Sequence, residues 1–438
     1  MGAKQHQKII WLPEELDADH LEHLGAALLA TGGMFVEKNI TEKVAYREEL
    51  EEIDAFGTVW RNGCALKVLI EAKSGQWGGR ELFSLLGKKE YLGAHTAVLL
   101  HCSGTTKPKH LELAKRFGTK GYKVLIAEAS KVTAELIADI CEEDEDVVSQ
   151  RLDTIHSLQT WRYAFWTERV LLKHLIRQAK AFGSQVKSLN EARGLIDRFN
   201  GCFFQHDPIE QARLLYDFYF QHPKLTQEIV EERRRIAPGD ELRGLSSEQA
   251  FSACLYDGKL DEAQAGLYLE HRARCSLLKI AVDLVMTNYP RPPEPSRVKD
   301  YLLPASFWKF ISAVSQMPSV QKLPQLWQSY VFGWGGFIVL DRENDEYANI
   351  GLEIDLKPEQ VRAGLKTFDQ LFPIEDGWHY EQKDTGLRIL KLVPNVIRAL
   401  GVQRRRWIYG DERFLGKLPP LGFKDCKKWA ECGYELLS

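Results

Sequence analysis

The eight cysteines include no Cys-x-x-Cys pair, and the chain shows neither an apolar run of transmembrane length nor an N-terminal signal peptide. A zinc ribbon is thereby excluded, including at Cys426 and Cys432, whose spacing is wrong for one. His271 and Cys275 stand one helical turn apart, but two lone ligands of this kind more often pack or face solvent. Scattered thiols without a secretion or membrane signal place the protein in a reducing cytoplasm, with no membrane partner. An excess of one charge is missing too. The 58 Lys and Arg nearly balance 61 Asp and Glu, for a net charge of −3, so any polyanion would have to be held by local patches. The glycine-rich Phe332-Gly333-Trp334-Gly335-Gly336-Phe337 lacks the closing lysine and hydroxyl residue of a phosphate-binding loop, and reads as a bulged strand or a close backbone approach.

What is present is enough apolar sequence, 44% of 438 residues, for two or three domains with real cores. One stretch carries chemistry. Asp54 lies on a strand that the turn signal Arg61-Asn62-Gly63 folds back against Leu66 to Lys73. The second strand is almost continuously apolar until Glu71-Ala72-Lys73, as for a strand buried on both faces that ends in a polar pair. Residues two apart in a strand share a face, so Glu71 and Lys73 project together while Ala72 enters the core. Asp54 then meets Glu71. Two facing carboxylates repel unless a cation sits between them, and Mg²⁺ prefers one or two carboxylates plus water and phosphate oxygens. The adjacent lysine would orient or deprotonate a bound water and stabilise charge on a scissile phosphate. An exposed cross-strand acid–lysine pair is the competing explanation of the tripeptide taken by itself.

The elements around it follow a definite order: a helix over Leu16 to Ala30, a strand at Met34-Phe35-Val36, the Asp54 and Glu71–Lys73 strands, and a helix over Gly79 to Leu92. A strand at Thr96 to Leu100, a basic helix near Lys107 to Phe117 and a strand at Tyr122 to Ala127 complete it. This α-β-β-β-α-β-α-β succession, with Asp54…Glu71-Ala72-Lys73 at its centre, resembles the PD-(D/E)XK (restriction endonuclease-like) nuclease superfamily, in particular its Mrr-like group, over about the first third of the chain. It departs from many Mrr-like members in having Glu71 where they carry glutamine. The resemblance implies an α/β fold with a mixed central sheet flanked by helices. It implies Asp54 and Glu71 as ligands of Mg²⁺ or Mn²⁺, Lys73 as the assisting lysine, and Glu22 as the acid many members carry on the first helix. The implied reaction is phosphodiester hydrolysis in DNA leaving a 5′-phosphate, with defence against foreign DNA as the commonest context. RNA or branched DNA would need only a different binding surface. A non-catalytic scaffold that keeps the fold and binds nucleic acid or a partner is the rival from another class.

Further substrate contacts fall on Gln76 and Arg80 after the motif, although loop polarity explains them equally well, and on Lys107, Lys109, Lys115, Arg116, Lys120 and Lys123. Arg233-Arg234-Arg235 is balanced by Glu231-Glu232, whereas Arg404-Arg405-Arg406 is followed by Trp407 and Tyr409 and suits backbone or stacking contacts. The nuclease domain is expected at 1–141, closed by the acidic Glu142 to Asp146 as a solvated linker. An all-helical domain at 147–288 has long spans at 152–181, 209–221 and 262–285. In it, Trp161 to Trp166 with Arg169 reads as core or inter-domain seam rather than a stacking surface. The proline-rich Tyr289 to Pro295 is a linker to a small α+β domain at 296–438. That domain is expected to have strands at 331–340, 350–354, 378–380 and 387–390 and helices at 357–371 and 394–400. No ATPase motif is evident, so ATP-driven movement would need a partner subunit; cutting both strands of a duplex would call for two active sites, as in a homodimer.

Overall fold

The computed structural model describes residues 16–43, 49–182 apart from 62 and 103–105, 262–287, and 305–410 apart from 375 and 384, with isolated positions between 194 and 216. Helix α1 (Ala18–Thr31) starts at Asp17, whose carboxylate accepts the His20 amide at 2.8 Å, and is buried along most of its length. Strands β1 (Phe35–Lys43), β2 (Glu49–Arg61) and β3 (Cys64–Lys73), helix α2 (Gly79–Tyr91), strand β4 (Thr96–His101), helix α3 (Pro108–Thr119) and strand β5 (Lys123–Glu128) follow in the order read from the sequence. They form one sheet ordered β1-β2-β3-β4-β5, antiparallel across its first two pairings and parallel across the last two. β4 is buried at every position, as a parallel strand covered on both faces should be. On one face Leu82 and Leu85 of α2 and Phe117 of α3 pack with Leu69 and Leu99. The opposite face is closed by α1. Gly25 lets that helix approach, since a Cβ there would stand 3.0 Å from Ile70 Cγ2.

Helices α4 (Ala134–Cys141), α5 (Glu145–Asp153), α6 (Ser157–Phe182) and α7 (Glu262–Met286) come next, and one apolar core runs through α1, α6, α7 and the C-terminal elements. The acidic run is exposed at Glu142, Asp144, Glu145 and Asp146, as expected of a solvated segment, but it is structured rather than a free linker. Asp144 caps α5 by accepting the Asp146 and Val147 amides at 2.9 and 3.2 Å, and Glu143 pairs with Arg61 and the buried Arg151 at 3.0 and 3.2 Å. The aromatic stretch packs into the core rather than forming a stacking surface: Trp161, Tyr163 and Phe165 are buried, and Trp161 Nε1 donates to Glu353 at 2.6 Å. Gln328 closes the free edge of β1, accepting the Val36 amide at 2.9 Å and donating to its carbonyl at 2.8 Å. The expected span 209–221 lies almost wholly outside the described residues. Arg233–Arg235, Tyr289–Pro295, Cys426 and Cys432 lie outside them altogether.

The C-terminal part contains α8 (Ala305–Ser315), α9 (Leu323–Gln328), β6 (Phe337–Val339), α10 (Glu343–Ile354), α11 (Pro358–Leu371), β7 (His379–Gln382), β8 (Leu387–Leu390) and α12 (Asn395–Tyr409), with a second sheet ordered β6-β8-β7. Two expected strands are replaced here. Residues 329–333 form a π-helical turn, so that only β6 remains of the strand at 331–340, and 350–354 ends helix α10. The whole run 322–339 is buried, which removes the alternation that separates a buried helix from a buried strand. In α10 the buried Tyr347, Ile350 and Ile354 follow the three-and-four spacing of a helix face. The glycine loop is a close backbone approach: Gly335 and Gly336 have φ of +75° and +66°, and a Cβ on Gly401 of α12 would stand 2.4 Å from the Trp334 carbonyl oxygen. Among the described residues no helix is long and apolar enough to cross a membrane.

Candidate active site

The antiparallel register of β2 and β3 pairs Ala55 with Ile70, so one step further along both strands Asp54 lies opposite Glu71. The tight Arg61-to-Cys64 turn fixes that register. Asp54 Oδ2 accepts the Ala72 amide at 2.6 Å, which ties the two strands together beside the paired acids. Both residues are buried, 8% exposed, and with Lys73 they line an open cleft of about 330 Å³ at the end of β3. Sequence reasoning placed these three side chains together, and the structure brings them together. Lys73 Nζ stands 2.6 Å from Glu71 Oε1.

A second lysine also reaches the cleft. Lys88 of α2 contacts Glu71 Oε2 and Glu51 Oε1, each at 2.7 Å, and donates to the Glu52 carbonyl at 2.8 Å. The sequence reading missed it. Its signal was weak: Lys88 stands three residues after Leu85 at the margin of the face that buries Leu82, Leu85 and Lys89, and an ammonium turned partly inward needs an acid beneath it. Burial works against the charge of Lys88, but Glu71 and Glu51 outweigh it and hold its pKa above the ordinary lysine value.

The cleft is lined by five carboxylates, those of Glu22, Glu51, Glu52, Asp54 and Glu71, against two ammonium groups. Burial, followed by the charge of Glu71, pushes the Asp54 carboxyl up to about 7, and the Ala72 amide only partly offsets this. A carboxyl raised by burial and then by a neighbouring acid, with that acid already bonded on both oxygens, is short of positive charge. Such hard oxygen donors suit Mg²⁺ or Mn²⁺, and a divalent ion would relieve the repulsion. Among the described residues no three His, Cys, Asp or Glu side chains stand close enough to ligate one ion. The chain would therefore supply two side-chain ligands, Asp54 and Glu71, with water and phosphate oxygens completing the shell, a sharing to which Mg²⁺ is suited.

Glu22 lines the cleft from α1, but its Oε2 is engaged by Asn39 Nδ2 at 2.7 Å and Arg169 Nη1 at 3.2 Å. Asn39 adopts φ of +50°, which asparagine tolerates, and its other amide atom receives the buried Lys38 ammonium. Arg169 thus serves α1, pairing with Asp19 as well. Gln76 and Arg80 are exposed and do not line the cleft; Lys107 and Lys109 are exposed at the start of α3. Lys115, Arg116 and Lys120 are exposed further along that region, while the half-buried Lys123 pairs with Asp139 and Glu142 at 3.4 and 3.6 Å.

The C-terminal arginine cluster does not form a nucleic-acid surface. Arg404 and Arg405 are fully buried, Arg404 pairing with Glu353 at 3.0 Å and Arg405 with Glu346. Arg405 also donates to the carbonyls of Trp334 and Gly401 at 2.8 and 3.0 Å, so its guanidinium has no face left for phosphate. Helix α12 runs beyond the expected end at 400, and this turns the pair into the core. Arg406 is half-buried and bonds Gln403 at 3.3 Å. The His271 and Cys275 pair is likewise structural: both are buried, and His271 Nε2 bonds the Leu392 carbonyl at 2.8 Å. In comparisons with known proteins, no family model, no curated sequence and no solved structure matches this chain.

Proposed function

We propose that the protein is a metal-dependent phosphodiesterase of the restriction endonuclease-like kind, acting on DNA with Mg²⁺ or Mn²⁺. The observation that carries this reading is the convergence of Asp54, Glu71 and Lys73 in an open, acid-rich cleft at the end of a central strand. The five-stranded mixed sheet with helices on both faces agrees with the element order on which the resemblance rests.

Asp54 and Glu71 would hold one divalent ion. When bound, the ion supplies Lewis-acid stabilisation of the phosphate and lowers the pKa of water beside it. Among the described residues Lys73 has one acceptor, Glu71, and its side chain is 36% exposed, so it can leave that acceptor for a phosphate oxygen or an attacking water while Lys88 still holds the buried Glu71. Asp54 is fixed by the Ala72 amide, which limits the reorganisation needed to meet the ion. Gln76, Arg80, Lys107 and Lys109, with Lys115, Arg116 and Lys120, are exposed and open to backbone contacts, and the DNA-binding proposal rests on them now that Arg404 and Arg405 are in the core. Partner subunits, pairing of two copies and a role in defence follow from the resemblance only.

A second reading draws on a specific contact. Both oxygens of Glu71 are already bonded by lysines, so the cluster is partly self-neutralised, as a scaffold that had given up catalysis would tolerate. The test is incubation of wild type and Glu71→Ala with linear, circular and single-stranded DNA and with RNA, in Mg²⁺, Mn²⁺ or EDTA. Cleavage of DNA by wild type alone, abolished by EDTA, is the expected result. Equal residual cleavage by both proteins sinks the enzyme reading in favour of the scaffold, and none by either leaves a partner-gated nuclease or the scaffold and moves the search to co-purifying subunits.

A further inference from the structure

We propose that Lys88 makes this a one-cation centre: its ammonium, carried in by α2, takes the place beside Glu71 that a second divalent ion would otherwise fill. The inference rests on the reading that Asp54 and Glu71 bind a cation. In two-metal nucleases the ions lie about 3.5–4 Å apart on either side of the reacting phosphate. A carboxylate with one oxygen for each ion can join them, and Glu71 has that form here. Its Oε1 faces Lys73 at 2.6 Å and its Oε2 faces Lys88 at 2.7 Å.

The surroundings of Lys88 Nζ are those of a hard cation. Two carboxylate oxygens, from Glu71 and Glu51, stand at 2.7 Å and the Glu52 carbonyl at 2.8 Å. Two carboxylates and a carbonyl are an oxygen set that a divalent ion accepts. Three acceptors also match the three protons of an ammonium, so Lys88 is fully satisfied. The two lysines differ in the freedom this leaves them. Among the described residues Lys73 has one acceptor, and its side chain is 36% exposed, whereas that of Lys88 is 11% exposed and carried by the helix that packs through Leu85. Lys73 is free to follow substrate, while Lys88 is a positioning residue that fixes Glu71 and supplies constant charge. Such charge needs no metal and does not dissociate.

Counting bound Mn²⁺ tests this, by calorimetry and by electron paramagnetic resonance of free Mn²⁺ on the full chain. Wild type should bind one ion. Lys88→Met, which keeps the unbranched apolar stem and loses the ammonium, should bind two, and adding Glu51→Gln to it should remove the second. Lys88→Arg should stay at one. If Lys88→Met does not fold, Glu51→Gln in the wild-type background decides: the count stays at one if Glu51 serves Lys88, and a loss of that ion overturns the inference. Two ions on wild type, or one on folded Lys88→Met, also overturn it while the cation reading stands. No ion on wild type removes the cation reading itself, and this inference with it.

Discussion

Replacing Asp54 by asparagine should stabilise the metal-free protein at neutral and alkaline pH, although it removes a residue central to the proposed chemistry. The Asp54 carboxyl is raised from 3.8 to about 7 by burial and by Glu71. Well below pH 4 folded and unfolded chains are both protonated there, and the group contributes nothing to their difference. As pH rises the unfolded chain releases its proton first, while the folded chain keeps it until about 7. The unfolded state then binds fewer protons, and stability falls across this window. A rise of about 3 units at 1.36 kcal/mol each sets a limit of about 4 kcal/mol on the loss. Asparagine keeps an oxygen for the Ala72 amide but adds an NH₂ that needs a partner, at a cost of about 1 kcal/mol. In EDTA at pH 8, Asp54→Asn should therefore be more stable than wild type by about 2–3 kcal/mol in urea, with the gap closing towards pH 4. Saturating Mn²⁺ should narrow the gap, since an ion at about 100 times its Kd adds about 2.7 kcal/mol to wild type and little to the variant. A gap that is constant from pH 4 to pH 8, or equal stabilisation of both proteins by Mn²⁺, would refute the argument.

Arg405→Ala should leave Glu346 charged and unpaired in the core and cost about 3–5 kcal/mol, with Arg404→Ala similar through Glu353, both read as lost urea resistance. Arg406→Ala, at a half-buried position, should cost within about 1 kcal/mol, and if instead all three variants fold normally and lose DNA affinity, the cluster is a binding surface after all. Gly401→Ala places a methyl 2.4 Å from the Trp334 carbonyl, where backbone cannot yield cheaply, and should destabilise by about 1–3 kcal/mol or more; an unchanged urea midpoint would count against that close approach.

The parts of the molecule that the sequence revealed are those governed by local rules, and the parts it hid are those decided by what a segment meets in space. The hairpin from Asp54 to Lys73 was legible because the turn, the apolar run and its polar end all agree on one register, and that register alone sets Asp54 against Glu71. The acidic run and the arginine triplet misled for the same reason as each other. A charge reads as solvated when its partner is far away in sequence, but Glu143, alone in an otherwise exposed run, meets Arg61 82 residues away, while Arg404 and Arg405 meet Glu353 and Glu346 some 51 and 59 residues away. Lys88 belongs with them. It lies 17 residues from Glu71 and 36 from Glu52, so only the packing of α2 on the sheet brings it to the carboxylates. The proposed chemistry depends on both kinds of information: local periodicity supplies the two acids and Lys73, and tertiary packing decides how many positive charges a metal must still contribute.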